Sequence, residues 1–281
     1  MNQKDDIREK VSEAYARAVT QPAEGCGCCG SVPKGVAAKL AGYTGEELAA
    51  LPPEAVQNAF GCGNPLAFAE VRLGDVVLDL GSGAGVDILL AAKRVGPKGR
   101  VIGVDMTDEM IAKARENIAA AGLTNVEVRK GIIEKLPVER ASVDFVISNC
   151  VINLSPDKPK VFAEIFRVLK PGGRMSVSDM VVEELPDEAR RSQALYDTCI
   201  AGAISEEEYI AGLKRAGLEQ VEVRERFVYD AAQLEALIRS ELPDNEQVMS
   251  CCGSIDAAAL GARMAGKIWS AKFQARKPPG R

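Results

Sequence analysis

Val76-Val77-Leu78-Asp79-Leu80-Gly81-Ser82-Gly83-Ala84-Gly85 is the stretch whose reading decides the fold. Its first five residues read as a buried strand, and the alternating glycines let the backbone turn tightly into a helix whose first amides face a ligand. Downstream, Ile88 to Ala92 continues that helix until Gly96-Pro97-Lys98-Gly99, and Val101-Ile102-Gly103-Val104-Asp105 reads as a second strand. Thr107 is placed to cap the next helix, whose apolar face is Met110, Ile111, Ala114, Ile118 and Ala121, and Gly122 stops it. Val126-Glu127-Val128 reads as a third strand and Val143 to Ser148 as a fourth. A helix over Val161 to Leu169 ends at Pro171-Gly172-Gly173, before a fifth strand, Met175-Ser176-Val177-Ser178. Short apolar runs alternating with amphipathic stretches are the pattern of βαβ units and a mostly parallel α/β sheet.

Beyond that core, Ser205-Glu206-Glu207-Glu208 opens a capped helix over 205–216 that ends at Gly217, and Val221 to Val228 resumes strand alternation. Lys267 to Phe273 alternates too and reads as a last strand, antiparallel in the sheet; the alternative is one helix from Asp256 to Phe273. Residues 230–265 then form a helical insertion carrying Cys251 and Cys252. Residues 1–72 read as a cap with a helix from about Lys4 to Ala18, a Cys/Gly segment over Gly25 to Gly30, and Glu46 to Leu51 before Pro52-Pro53. The expected division is a cap over 1–72, a core over 73–229 and a C-terminal part over 230–281. No internal repeat is present in the sequence.

The chain has 281 residues, 47% hydrophobic and 27% charged, enough for a sizeable core. A formal charge of −5 argues against nucleic acid or an anionic membrane surface as the main partner and for a small ligand. The charged start, Met1 to Arg8, lacks a signal-type apolar core, so a cytoplasmic location is expected and a monomer is the working assumption. Eight cysteines are far below disulfide-scaffold density, and in that compartment they are available as thiols. Histidine is absent, which removes Ser-His and Cys-His nucleophile pairs, His-based metal sites and any imidazole base.

The glycine loop and Asp105, 20 residues past Gly85, fit either a dinucleotide or S-adenosylmethionine, with Asp105 accepting from ribose hydroxyls. The dinucleotide fingerprint needs Gly-x-Gly-x-x-Gly; here the third glycine comes one position early and Val86 stands where Gly or Ala is expected. The Asp79-x-Gly-x-Gly-x-Gly pattern resembles the first motif of class I S-adenosylmethionine methyltransferases. Met106 and Gly131-Ile132-Ile133-Glu134-Lys135-Leu136-Pro137 are similar to the adenine-contacting positions of that superfamily. The resemblance implies a Rossmann-like class I methyltransferase sheet and a cofactor site of Asp79, Gly81, Ser82, Gly83, Asp105, Met106, Ile133 and Glu134, with Asn149 holding the methionine moiety.

Three cysteines fall in distinct settings: Phe60-Gly61-Cys62-Gly63, Ser148-Asn149-Cys150-Val151-Ile152-Asn153 and Asp197-Thr198-Cys199-Ile200-Ala201-Gly202. Any one alone reads more readily as a small buried hydrophobe. Cys150, directly after the fourth strand, falls at the carboxyl edge of the sheet, where open α/β folds bind ligands. Glycines around Cys62 permit close approach of a ligand, and Cys199 follows the fifth strand in a Gly/Ala-rich segment. Structural zinc sites come as paired knuckles, and these three are isolated singles, so no structural metal is expected. A trigonal, thiophilic guest fits better: arsenic(III) on two or three sulfurs keeps a lone pair that attacks an electrophilic methyl without a general base.

At these residues the chain resembles one family, the arsenite S-adenosylmethionine methyltransferases, from about Cys28 to about Gly217. The resemblance is carried by Phe60 to Gly63, Asp79 to Gly85, Val104 to Met106, Gly131 to Leu136, Ser148 to Leu154 and Leu195 to Cys199. It implies that Cys150 and Cys199 hold arsenic, within an arsenic-binding segment at 180–204, and that Cys62 is a further catalytic thiol in the redox step. Cys26, Cys28 and Cys29 compete for the family's N-terminal thiol, with Cys28 or Cys29 the better aligned. It also implies methylation of arsenite to mono- and dimethylated arsenicals for detoxification, with thioredoxin or glutathione recycling a transient disulfide. The family often has Tyr where this chain has Phe60, and Cys251-Cys252 resembles tail cysteines that vary; they read equally as a surface thiol pair. The competing readings are a methyltransferase on a small organic acceptor with packed cysteines, and a non-enzymatic soft-metal-binding protein, against which the intact glycine loop and Asp105 count.

Overall fold

Val76, Val77, Leu78 and Leu80 flank one acid, Asp79, in a strand whose last four residues are buried, as a strand covered on both faces must be. The computed structural model describes residues 3–20, 42–59, 61, 63–67, 69–192, 195–196, 199–241 and 257–280. Its strands are β1 (Val76–Leu80), β2 (Arg100–Asp105), β3 (Val126–Lys130), β4 (Val143–Asn149), β5 (Leu169–Val182), β6 (Glu219–Val228) and β7 (Ile268–Arg276). They form one seven-stranded sheet in the order β3-β2-β1-β4-β5-β7-β6. The first five pair in parallel, while β7 pairs antiparallel with both β5 and β6. Chain order reverses between β1 and β4, so the crevice for a ligand opens beyond their carboxyl ends.

Two helical layers cover the sheet. On one face lie α4 (Val86–Val95) and α5 (Asp108–Ala120); on the other lie α6 (Lys158–Val168) and α8 (Glu206–Arg215). Eight of the ten α4 residues are buried, because the helix lies between the sheet and the cap elements α2 (Gly45–Ala49) and α3 (Pro53–Gln57), with Tyr43, Leu51, Ala55 and Leu66 in its cluster. On the opposite face Tyr209 stacks on Phe273 at 4.1 Å between centroids and meets the edge of Phe162 at 5.2 Å. Such aromatic pairs add about 0.5–1.5 kcal/mol beyond area burial.

Ser205 and Glu208 complete a reciprocal capping box at α8, as their spacing requires. Thr107 does precede α5, but its side chain makes no capping bond; Asp105 Oδ1 accepts from the Thr107 N–H at 2.9 Å, and the Thr107 hydroxyl meets Ser12 instead. The fifth strand is longer than Met175 to Ser178. Leu169 already pairs with Val143, and Pro171-Gly172-Gly173 is absorbed as an irregularity before Arg174 pairs with Phe145. Between β5 and Cys199 comes the short α7 (Asp187–Arg190), so Cys199 does not follow that strand directly. The C-terminal part is helical in α9 (Ala231–Glu241) and α10 (Ala257–Met264), then turns into β7; a single helix from Asp256 to Phe273 does not form.

α1 (Gln3–Thr20) is mostly polar and buries only Val11 fully. It lies over the carboxyl edge, held by Lys4 to Asp157 at 2.7 Å, Arg8 to Glu134 at 3.2 Å and Ser12 to Thr107 at 3.2 Å. Among the described residues no helix is long and apolar enough to cross a membrane.

Candidate active site

The three loops that leave β1, β2 and β4 meet under α1 in a solvent-open cleft. Gly81, Ser82 and Gly83 form its floor; Asp105, Met106, Ile133 and Glu134 line one side; Asn149 and Cys150 line the other, and Arg8 and Tyr15 of α1 close over it. Of the residues expected to bind the cofactor, only Asp79 is not on the wall: it is 2% exposed behind the loop.

The loop is fixed by the sheet. Gly81 and Ser82 N–H both donate to Val104 O, at 2.8 and 3.1 Å, and Asn117 Nδ2 donates to Ala84 O at 2.9 Å. Gly83, at φ +50°, donates its N–H to Asp105 Oδ2 at 2.9 Å, and a Cβ added there would meet nothing within 4 Å. That open face is a cradle, and α4 begins at Gly85 without a side-chain cap, leaving its first amides toward the cleft.

Buried carboxyl groups crowd the loop surroundings. Burial pushes Asp79 well above the usual carboxylate range, and the Asp87 and Asp105 charges raise it further. Asp87 is pushed up to about 6 by burial, offset by hydrogen bonds from Tyr43 and Asn149. Burial raises Asp105 as well, against the backbone N–H bonds of Thr107 and Gly83. These acids suit the sulfonium and ammonium of S-adenosylmethionine, while the uncapped amides at the start of α4 suit its carboxylate.

Asp87 and Tyr43 were not singled out from sequence. Tyr43 donates its hydroxyl to Asp87 Oδ1 at 2.8 Å, an approach 44 residues apart in the chain. The only local signal was an acid closing Gly83-Ala84-Gly85-Val86-Asp87. Asn149 is on the cleft wall, but its side-chain amide is engaged by Gly63, Tyr43 and Asp87.

The thiol side adjoins this cleft. Cys150 and Cys199 are 5% and 3% exposed, and the Cys199 Sγ–H donates to Cys150 O at 2.5 Å. Both have left-handed backbones, φ +56° and +64°, a conformation costly for non-glycine residues and concentrated at functional sites. Cys150 is disulfide-bonded. The following turn, Ile152–Leu154, presents Asn153 O and Ser155 O to the Lys158 ammonium, at 3.1 and 3.2 Å. Burial lowers the Lys158 value, while the charges of Asp179 and Cys199 draw it back up. The structure therefore brings Cys150 and Cys199 together beside the cleft. Cys62, Cys26, Cys28, Cys29, Cys251 and Cys252, and Phe60, lie outside the described residues.

A family model described as a methyltransferase domain matches residues 72–220. An arsenite methyltransferase of Halobacterium salinarum is 44% identical over 231 residues, 78% of this chain and 59% of that protein. The human arsenite methyltransferase is 40% identical over 169 residues, 54% of this chain and 44% of that protein. The chain thus spans about half the length of these curated relatives. The crystal structure of an arsenic(III) S-adenosylmethionine methyltransferase from Chlamydomonas reinhardtii superposes with a TM-score of 0.61 at 32% identity, covering 89% of this chain and 76% of that one.

Proposed function

We propose that this chain, which belongs to the arsenite methyltransferase family and is built on a methyltransferase domain, transfers a methyl group from S-adenosylmethionine to arsenic(III) held by Cys150 and Cys199. The observation that carries the reading is the juxtaposition of the two cysteines, Sγ of one on the backbone oxygen of the other, at the edge of a cleft built for a cationic cofactor.

The chain's residues divide the work. The open face of the loop at Gly83 and the Asp105 side chain hold the nucleoside end, with Met106, Ile133 and Glu134 around the base. Asp79 and Asp87, whose buried carboxyls are held toward the neutral form, favour the charged end of the cofactor because a nearby cation stabilises their ionised forms. The bound cofactor supplies a methyl group made electrophilic by its sulfonium. Once the Cys150 disulfide is reduced, arsenic on the Cys150 and Cys199 thiolates keeps its lone pair, which forms the new As–C bond while the broken C–S bonding pair stays on sulfur, leaving a neutral thioether. No proton moves, which suits a site without histidine. Holding the two reacting atoms near contact supplies much of the rate, since effective molarity offsets about 7–11 kcal/mol of a barrier.

Arsenic leaves that step formally pentavalent. Two cysteine thiolates give up two electrons and join as a disulfide, which returns arsenic to the trivalent state; Cys62 and the N-terminal cysteines are the candidates, and thioredoxin or glutathione the external dithiol or thiol reductant. Successive rounds yield mono- and then dimethylated arsenicals, a detoxifying conversion in the cytoplasm.

The test is to incubate the purified protein with arsenite, S-adenosylmethionine and a thiol reductant and to separate the arsenic species. Methylated arsenicals are expected. A protein that binds S-adenosylmethionine yet leaves arsenite unmethylated would reject the arsenic assignment and favour an organic acceptor.

A further inference from the structure

The turn that follows Cys150 carries a run of main-chain oxygens, each with a donor. Val151 O and Ile152 O accept from the N–H groups of Leu154 and Ser155, at 3.0 and 3.1 Å, and so close the turn itself. The carbonyls of Cys150, Asn153, Leu154 and Ser155 are taken by side chains. Cys199 Sγ reaches Cys150 O, Tyr196 Oη reaches Leu154 O at 3.1 Å, and the Lys158 ammonium spans Asn153 O and Ser155 O at 3.1 and 3.2 Å.

Gly202 lies against the same turn. A Cβ built on it would stand 2.1 Å from Asn153 O, and its φ is not positive, so close approach is what requires glycine there. Residues 196–202 thus rest on the turn at Cys150 O, Asn153 O and Leu154 O, and where those oxygens point decides where Cys199 stands against Cys150. Lys158 is placed to fix them. It is the first residue of α6, where a cation has the wrong sign for the helix dipole, so the helix gains nothing from its charge. Its partners are two neutral carbonyls of one turn, which draw on two of its three N–H donors. The far side of the turn is tied to β5 by Asn153 Nδ2, which donates to Asp179 Oδ1 at 2.8 Å and to Met180 O at 2.6 Å.

We propose that Lys158 is a positioning residue for the thiol pair: its ammonium, held between the Asn153 and Ser155 carbonyls, fixes the turn on which the segment carrying Cys199 rests, and so sets the separation at which Cys150 and Cys199 chelate a trivalent arsenical. The proposal deepens the reading of these two cysteines as the arsenic-holding pair and rests on it. Lys158 acts through the turn and not on the reacting atoms.

The experiment uses the reduced full chain with Cys26, Cys28, Cys29, Cys62, Cys251 and Cys252 changed to Ser, so that Cys150 and Cys199 alone report. Two probes are titrated: phenylarsine oxide, whose hydrated form exchanges two As–OH bonds for As–S bonds with loss of two waters, and dimethylarsinous acid, which exchanges one. The ratio of their affinities gives the effective molarity of the second sulfur, a quantity that a general loss of stability or of thiol access does not move. In Lys158→Met the ratio is expected to fall at least about tenfold, since a displacement of about 1 Å costs up to about a hundredfold. Lys158→Gln, equally uncharged but still a donor, is expected to recover at least about threefold of that loss. Tyr196→Phe, which withdraws one donor from the same turn, is expected to give a smaller loss in the same direction, and serves if the Lys158 variants do not fold. An unchanged ratio in these variants overturns the proposal, as does an equal loss in Lys158→Met and Lys158→Gln, which would make charge and not placement the cause. A parent chain that holds both arsenicals by one sulfur overturns it together with the reading of the Cys150–Cys199 pair, whereas a parent that chelates, with variants that chelate as well, overturns the proposal alone. No methyl transfer enters these measurements, so they are distinct from failure of arsenite methylation.

Discussion

Single residues in this protein are set by burial more than by their own chemistry. Asp179 is fully buried, accepts from Asn153 Nδ2 at 2.8 Å, its neighbour's N–H at 2.9 Å and Tyr209 Oη at 3.3 Å, and is still pushed up to about 7 from 3.8 because burial outweighs those bonds and the Lys158 charge. A carboxyl raised on folding contributes stability that is full below its unfolded value and is lost as pH rises through the folded one, here from about pH 4 to about pH 7. Asp179→Asn cannot ionise, so the difference in Tm, variant minus wild type, should be more positive at about pH 8 than at about pH 5; no change in the difference would contradict the burial argument. Gly83 makes a second case. With φ +50° and open space where a Cβ would go, Gly83→Ala should keep the fold at a cost of about 1–2 kcal/mol in urea unfolding and weaken S-adenosylmethionine binding by filling the cradle. Gly81→Ala should unfold more easily, since its Cβ would stand 2.4 Å from Val151 Cγ2. The glycine pattern was readable in the sequence because only glycine fits such backbones. Asp87 and Tyr43 were not, because their importance comes from an approach across 44 residues that no local pattern records.

At the scale of elements, alternation and spacing foretold most of what formed. β7 is antiparallel, as its Ile268-Trp269-Ser270-Ala271-Lys272-Phe273 pattern indicated, and its place between β5 and β6 buries Phe273 completely. The Pro171-Gly172-Gly173 segment misled because a turn signal was absorbed into a long strand through an irregular pairing, a tertiary solution that turn chemistry alone does not reveal. α1 was expected as a helix within a cap; Ile7, Val11 and Tyr15, spaced by four, pack on the cluster around Cys150 and Leu154, and ion pairs add to the docking. Arg8 is the link that matters, because Glu134 is 8% exposed and shares its Oε1 between Arg8 and the Ser155 hydroxyl. Arg8→Ala should therefore weaken cofactor binding by about tenfold, roughly 1.4 kcal/mol, chiefly through faster dissociation measured by stopped-flow displacement; an unchanged off-rate would mean that α1 does not cover the bound cofactor.

The whole molecule divides labour along the reversal of strand order between β1 and β4. In the proposed site, loops after β1 and β2 take the cofactor side, and the end of β4 delivers Asn149 and Cys150 to the thiol side, where the segment after β5 brings Cys199 against Cys150. Motif residues made the cleft legible, since the glycine loop and Asp105 at fixed spacing do line it together. The thiol side was legible only as a set of isolated cysteines, and it is the sheet's topology that draws two of them, 49 residues apart, into contact. The most direct measurement is a single turnover with methyl-labelled S-adenosylmethionine and arsenite, run on the wild type, Cys150→Ser and Cys199→Ser at saturating cofactor. The account predicts label on arsenic from the wild type and none from either variant, with cofactor binding retained in all three. Label transferred to arsenic equally well by Cys150→Ser and Cys199→Ser would contradict it.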